Sequence, residues 1–266
     1  NLSVFPGMAD LPGVGSKSMG LNYESIMSLS PDLIILYAQK DGKQLAKQFE
    51  KINIPAVIVL PENFAGIKKS LQIIAMAVGE PERSLILEKA MDSVMGLVEK
   101  RVSAIPENRK KTAYFASPRG LFSTATGNML QDEMFIKAGL INVAHDLRGY
   151  FQDISPEQFV KWNPDMVVLS RHMNSKVIRK LNNPVIKNVK AIKTKTVYKS
   201  PSTLAPWDFP SPLSALGTLW LANRAYPKLF ADIDLSKEID SFHIKIFGKS
   251  LKQMNGTLDD QIYEKL

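Results

Sequence analysis

Three short stretches of this chain hold side chains that could grip an anion or a metal complex. Arg119 stands in Ser117-Pro118-Arg119-Gly120, with Phe122, Thr124 and Thr126 close behind; Arg171 and His172 follow an apolar run; Trp207 sits in Leu204-Ala205-Pro206-Trp207-Asp208-Phe209-Pro210. A guanidinium presents a planar fork of donors suited to carboxylates, catecholates and oxyanions. A histidine can ligate a metal or donate to an anion, and an aromatic ring can stack on a planar ligand. Tyr37 adds a fourth position of this kind. Each has a plainer reading beside it: Arg119 as an ordinary surface charge, Phe122 as a loop anchor, His172 as an exposed and idle ring, Tyr37 as core packing, Trp207 as a brace for its loop. Trp162 and Trp220 fall at helical core spacing and are read as structural.

What the chain lacks narrows the chemistry further. No G-x-G-x-x-G, Walker, G-x-S-x-G or H-E-x-x-H pattern occurs, and Gly13-Val14-Gly15 follows no strand. There are three histidines, and His145 and His243 offer no metal-ligand spacing. With no cysteine, disulfides, thiolate metal sites, cysteine nucleophiles and cysteine-bound clusters are excluded. The reading is therefore a binding protein rather than an enzyme, with no cofactor and no metal held by the protein itself. The net charge of +8 is scattered, without an aromatic-rich basic motif, so nucleic acid is not the expected partner; it biases the surface toward anionic ligands. No run of about 18 uncharged apolar residues is present to span a membrane, and Asn1-Leu2-Ser3 has neither the basic nor the apolar region of a signal peptide.

The elements that must position these residues are legible as short apolar runs ending in polar loops, at 32–36, 56–60, 111–116, 166–169 and 196–198. Such runs read as buried parallel strands. Helical patterns lie between them at 41–52, 64–78, 131–138, 156–162 and 212–226, and the alternation predicts an α/β fold. From Pro81 to Ile105 runs a longer pattern without internal proline, with Leu85, Leu87, Ala90, Val94, Leu97, Val98 and Val102 on its apolar side. At the standard rise it spans roughly 35 Å, the length of a strut.

An internal repeat organises the whole. Residues 24–36 match residues 157–169 in the pattern Glu-x-apolar-x-x-apolar-x-Pro-Asp followed by four apolar residues, with Glu24 aligned on Glu157 and Pro31-Asp32 on Pro164-Asp165. Short helix, Pro-Asp turn and buried strand occur once on each side of the 81–105 helix. The sequence thus predicts two similar α/β lobes: 1–80, the connecting helix 81–105, and 106–266, the last helices of which could return to the first lobe. Tyr37-Ala38-Gln39 follows one repeat strand and Ser170-Arg171-His172 the other. Ligands of open α/β sheets sit beyond the carboxyl ends of the strands, so these loops are expected to line a cleft.

These features resemble the class of periplasmic binding proteins that serve ferric siderophores, haem, cobalamin and related solutes. The resemblance rests on the repeated element, on Phe122-Ser123-Thr124-Ala125-Thr126-Gly127, on Ala138-Gly139-Leu140-Ile141-Asn142-Val143-Ala144 and on residues 207–227. It implies two Rossmann-like lobes bridged by a single long helix, with little hinge motion on binding. It also implies a first strand and helix ahead of the loop that residues 1–20 represent, which this sequence lacks. Function follows from it as an expectation: a monomeric solute-binding component of an ABC importer, periplasmic or lipid-anchored, delivering a metal chelate to a permease dimer. A ferric siderophore is the first ligand expected; an oxyanion such as molybdate or tungstate, haem and cobalamin are the alternatives. Tyr37, Arg119, Phe122, Thr124, Arg171, His172 and Trp207 are the expected ligand contacts, aromatic residues near Tyr37 being contacts in the resembled class. Glu24 and Glu157, as the resemblance implies, dock on permease arginines; helix-terminal decoration is the competing role.

Overall fold

The computed structural model describes residues 5–16, 20–37, 42–174, 181 and 183–263. They divide into two compact units: the first ends at Leu85 and is interrupted at Glu62–Phe64, and the second takes in Glu62–Phe64 and continues from Ile86. Both are α/β in construction.

The first unit opens with β1 (Gly15–Ser16) and β2 (Gly20–Leu21), an antiparallel pair, then α1 (Tyr23–Leu29), β3 (Ile34–Tyr37), α2 (Gly42–Glu50), β4 (Ala56–Val59) and most of α3 (Phe64–Ala77). β3 and β4 pair in parallel from Ile34–Ala56 to Tyr37–Val59. Ile34 and Leu36 turn toward a core built on Ile26, Phe49 and Ile54, whereas Ile35 and Tyr37 are 44% and 41% exposed. Side chains alternate across a strand, and here one face is covered and the other is not.

α4 (Pro81–Val102) carries the chain from the first unit into the second within one continuous helix, about 33 Å at the standard rise. It stops three residues short of the predicted end. Pro106 disfavours helical backbone at the residue before it, and the Ile105 amide closes the last turn onto the Val102 carbonyl at 3.0 Å. Ala90, Met91, Val94, Val98 and Val102 form its buried row; Leu85, expected there, is 45% exposed, and Met91, not expected, is fully buried.

The second unit continues with β5 (Thr112–Ala116), β6 (Ser123–Thr124), α5 (Leu130–Lys137), β7 (Ile141–Asn142), β8 (Gln152–Asp153), α6 (Pro156–Trp162), β9 (Met166–Leu169), α7 (Lys190–Lys193), β10 (Val197–Lys199), α8 (Ser214–Ala225) and α9 (Leu235–Phe247). Its sheet runs β10-β9-β5-β6-β8, with β7 also on β5. β9 is parallel to β5 and β10, and β7 is parallel to β5, so these four share a carboxyl end; β6 and β8 are antiparallel additions. All four residues of β9 are buried, as a strand covered on both faces requires. Tyr114 of β5 packs edge-on against Phe159 of α6 at 4.8 Å and donates its hydroxyl to the Leu121 carbonyl at 2.8 Å. Truncating a side chain as buried as Phe159 costs about 3–5 kcal/mol.

The internal repeat is visible in backbone detail. α1 begins at Asn22, whose side chain accepts from the Ser25 amide, and α6 begins at Ser155, whose hydroxyl accepts from the Gln158 amide. α1 ends at Ser30 with φ 45° and ψ 55°, and α6 ends at Asn163 with φ 46° and ψ 55°, both left-handed. That turn aims the following Pro-Asp into a strand in each unit. In the second unit Asp165 then accepts from the Thr112 amide and hydroxyl, at 2.8 and 3.0 Å, tying β9 to the start of β5.

Candidate functional site

The carboxyl end of the second unit's sheet gathers most of the residues singled out above. β5 leads into Ser117, a buried residue whose amide donates to the Ser123 carbonyl at 2.7 Å and whose hydroxyl accepts from the Arg119 amide at 3.2 Å. This turn lifts Arg119 to the surface. Its guanidinium lies 5.8 Å from the centre of the Phe151 ring and donates to the Phe151 carbonyl at 3.1 Å. The Phe151 ring in turn stacks on Phe115 at 6.4 Å. Among the described residues no carboxylate is paired with Arg119. The guanidinium is exposed and held by that one carbonyl and one ring.

Arg171 has a different setting. Its guanidinium reaches the Asp259 carboxylate at 2.8 Å and the Asp259 carbonyl at 3.1 Å, with the two side chains 14% and 23% exposed. Its amide donates to the Asp208 carboxylate at 3.1 Å. This arginine fastens the C-terminal segment to the end of β9, so its charge is already engaged. Asp208 is buried, and burial pushes its carboxyl above the usual range; its second oxygen has no hydrogen-bond partner. His172, beside Arg171, is exposed.

The aromatic candidates are placed unequally. Trp207 is fully buried, its ring 6.3 Å from His243, so bracing the loop accounts for its position and a ligand contact by the indole does not. Gly217 of α8 permits this packing, because a Cβ there would come within 2.9 Å of the Trp207 carbonyl. Phe122 is half-buried and packs edge-on against Phe159 at 6.0 Å, the anchor role. Thr124 is fully buried on β6, its hydroxyl directed to the Ala125 carbonyl at 3.4 Å. In the first unit, Tyr37 ends β3 and is exposed; Ala38 and Gln39, expected beside it, lie outside the described residues. Trp162 is half-buried against the core, and Trp220 is buried with its indole N–H on Asp260 at 2.7 Å.

Sequence reasoning passed over one constellation. Asp132 of α5 is 3% exposed and accepts from the Asn142 amide group at 2.8 Å. Nδ1 of His145 faces both of its oxygens, at 3.0 and 3.1 Å, while the imidazole is 52% exposed. The buried histidine carries no such arrangement: His243 pairs Nδ1 with the Ile239 carbonyl inside α9 at 2.8 Å, and burial pushes its protonation down. The signal that might have revealed His145 is weak in the sequence, since 13 residues separate it from Asp132 and nothing in that spacing marks a pair.

Glu24 and Glu157 occupy the second position of α1 and α6 and are exposed. The Glu157 carboxyl is held below its ordinary range by its own backbone amide and by the Ser155 hydroxyl.

A sequence profile described as periplasmic binding protein matches residues 6–204. The molybdate-binding protein MolA of Haemophilus influenzae is 28% identical over 261 residues, covering 88% of this chain and 72% of that protein. The ABC transporter substrate-binding lipoprotein YvrC of Bacillus subtilis is 25% identical over 218 residues, covering 80% of this chain and 68% of its own. The solved structure of MolA bound to molybdate aligns with a TM-score of 0.82 at 25% identity, over 94% of this chain and 82% of that one.

Proposed function

This chain belongs to the periplasmic binding protein family, the solute-binding components of ABC transporters, and we propose that the solute it captures is a small tetrahedral oxyanion of the molybdate or tungstate kind. The observation that carries this is Arg119: a guanidinium held over Phe151 at the carboxyl end of the sheet, with no carboxylate paired to it among the described residues, in a chain similar along most of its length to a molybdate-binding protein. Charge-assisted donors of this sort suit an anion that brings its own charge and no large apolar surface. The ferric siderophore expected first from the sequence calls for an open aromatic mouth. Of the three aromatic side chains proposed for it, Trp207 is buried, Phe122 is packed on the core and Tyr37 is exposed, so fewer than expected are placed to form such a mouth, which favours the smaller ligand. Glu24 and Glu157 serve in this proposal as the matched carboxylates by which the two units meet a permease of two like subunits.

Isothermal titration of the protein with molybdate, tungstate, sulfate and a ferric tris-catecholate tests the assignment. Molybdate and tungstate should bind one to one and more tightly than sulfate. Tight binding of the catecholate with none of the oxyanions would replace this function by siderophore capture.

A further inference from the structure

We propose that the amino end of the second unit's sheet is a membrane-facing surface, a basic face that settles on anionic phospholipid headgroups. The inference goes beyond solute capture and holds whichever anion the protein carries.

Placement comes from strand register. β5, β9 and β10 are neighbouring parallel strands, with Ala113 opposite Met166 and Val167 opposite Val197, so all three begin at one end of the sheet and nearly level. Adjacent strands lie about 4.8 Å apart, which brings the segments that feed them side by side. Those segments are also bonded to one another. Asp165 accepts from the Thr112 amide and hydroxyl, the Thr196 hydroxyl donates to the Asp165 carbonyl at 2.6 Å, and the Ala191 amide donates to the Pro164 carbonyl at 3.0 Å. Arg109 and Lys111 precede β5, Lys161 stands in the last turn of α6 ahead of β9, and Lys190, Lys193 and Lys195 precede β10. All six are exposed.

Charge then decides what this end can meet. In segments 107–111, 161–165 and 190–195, seven basic side chains stand against two acidic ones, a surplus of five within a chain whose net charge is +8. Both acids are already engaged, Glu107 with Lys110 at 2.7 Å and Asp165 with Lys190 at 2.5 Å. Among the described residues no carboxylate is paired with Arg109, Lys111, Lys161, Lys193 or Lys195. Basic residues dispersed along the sequence are thus gathered by the fold, and at the end of the sheet opposite to the one from which Arg119 and Arg171 leave. The candidate solute site does not use them. Like charges held this close repel unless an anion offsets them. Lysine ammoniums are point charges, and here they are spread over three segments rather than closed around one small anion. An extended anionic surface answers all of them at once. The solute-binding components of ABC transporters work beside a permease embedded in a membrane, and anionic lipid is the extended negative surface found there.

Co-sedimentation of residues 1–266 with phosphatidylcholine vesicles containing about one-third phosphatidylglycerol tests this face. The protein should bind these vesicles at about 0.05 M salt, bind pure phosphatidylcholine far less, and come off as salt rises to about 0.3 M and the Debye length shortens. Each basic residue at an anionic leaflet strengthens binding about fivefold. Replacing one in each segment, Arg109→Gln with Lys161→Gln and Lys193→Gln, should therefore weaken binding about 100-fold. The melting temperature should hardly move, since none of these three side chains has an ion pair or hydrogen bond among the described residues. Lys43→Gln with Lys47→Gln and Lys51→Gln, exposed lysines of the first unit whose loss changes net charge equally, should weaken binding less than about threefold. Equal losses in the two sets would assign the binding to net charge and overturn the face. So would vesicle binding that the first set leaves intact, or no binding of the wild-type protein to the anionic vesicles at the lower salt. Binding to single-stranded DNA as tight as to the vesicles, and lost in the first set alone, would give the face to nucleic acid instead.

Discussion

Arg119 and Arg171 follow neighbouring parallel strands, β5 and β9, yet their surroundings predict opposite consequences for the same substitution. Arg119→Ala removes an exposed guanidinium that makes one bond to a carbonyl and lies over one ring. If that charge meets the ligand, a charge-assisted hydrogen bond of about 1.5–3 kcal/mol is lost from binding, which is about a 10- to 150-fold rise in Kd. Folding should hardly change, because a single exposed cation–π contact is worth about 0.5–1 kcal/mol. Arg119→Lys should recover part of the affinity, since an ammonium lacks the planar fork. Arg171→Ala breaks an ion pair that is mostly but not wholly buried. The figure for a fully buried pair, discounted for this exposure, leaves about 1–3 kcal/mol of stability. For a unit of this size that is a fall in Tm of about 3–10 °C. Molybdate affinity of the folded Arg171→Ala protein should stay within about threefold of wild type, less than about 0.7 kcal/mol. Calorimetric titration and thermal denaturation of the same samples give both numbers. If Arg119→Ala binds normally, or Arg171→Ala loses affinity without losing stability, the division of roles between the two arginines is wrong.

Three further outcomes follow from other parts of the molecule. Asp260 accepts from Trp220 at 2.7 Å and from Arg224 at 2.6 and 2.8 Å, so Asp260→Ala should cost about 3 kcal/mol in denaturant unfolding and Asp260→Asn, which keeps an acceptor for the indole, about half that. A raised carboxyl pKa in the folded state means that Asp208 weighs against folding as pH rises above its unfolded value of about 3.9 and not below it. Asp208→Asn should therefore raise Tm at neutral pH, with the gain vanishing below about pH 4; an equal Tm difference at both pH values would contradict the assignment. The pair Glu24→Ala with Glu157→Ala should leave ligand affinity and Tm nearly unchanged while uptake by vesicles containing the permease falls sharply; normal uptake would leave the two acids as helix-terminal residues only.

The parts of the fold legible in the sequence are those written in adjacent residues. Pro31-Asp32-Leu33-Ile34 and Pro164-Asp165-Met166-Val167 announce a turn and a buried strand by local pattern alone, and both strands form there. β6, β7 and β8 are two residues each, too short for any periodicity to mark them. α9 carries usable signals, Asp234 capping its start and Gly248 closing it at φ 73°, but its apolar positions are interrupted by charged ones and mark no clean helical period. The site was legible only by position. Strand ends indicated where Arg119 and Arg171 stand, but the partner that occupies Arg171 lies 88 residues downstream. A proline-rich loop suggested an exposed Trp207, and the glycine that lets α8 close over it lies in a different element. Asp132 and His145 meet because β7 pairs with β5, a tertiary fact with no trace in their own neighbourhood.

The left-handed residues that end α1 and α6 bear on how firmly each helix is closed. The backbone angles at Ser30 and Asn163 agree to within a degree, although the side chains have been exchanged. Asparagine is at ease in that region and serine is not, a left-handed L-residue being roughly 1–2 kcal/mol out of its preferred range. The same left-handed stop is made in α6 by a residue at ease there and in α1 by one that is not, so the final turn of α1 is expected to open more readily. Amide exchange should expose the difference: the Ser30 N–H, bonded to the Met27 carbonyl at 3.1 Å, should exchange faster than the Asn163 N–H, bonded to the Phe159 carbonyl at the same distance. Ser30→Asn should narrow the gap by slowing the first, and exchange at Ser30 that does not respond would place the weakness of α1 in its packing rather than in its final turn.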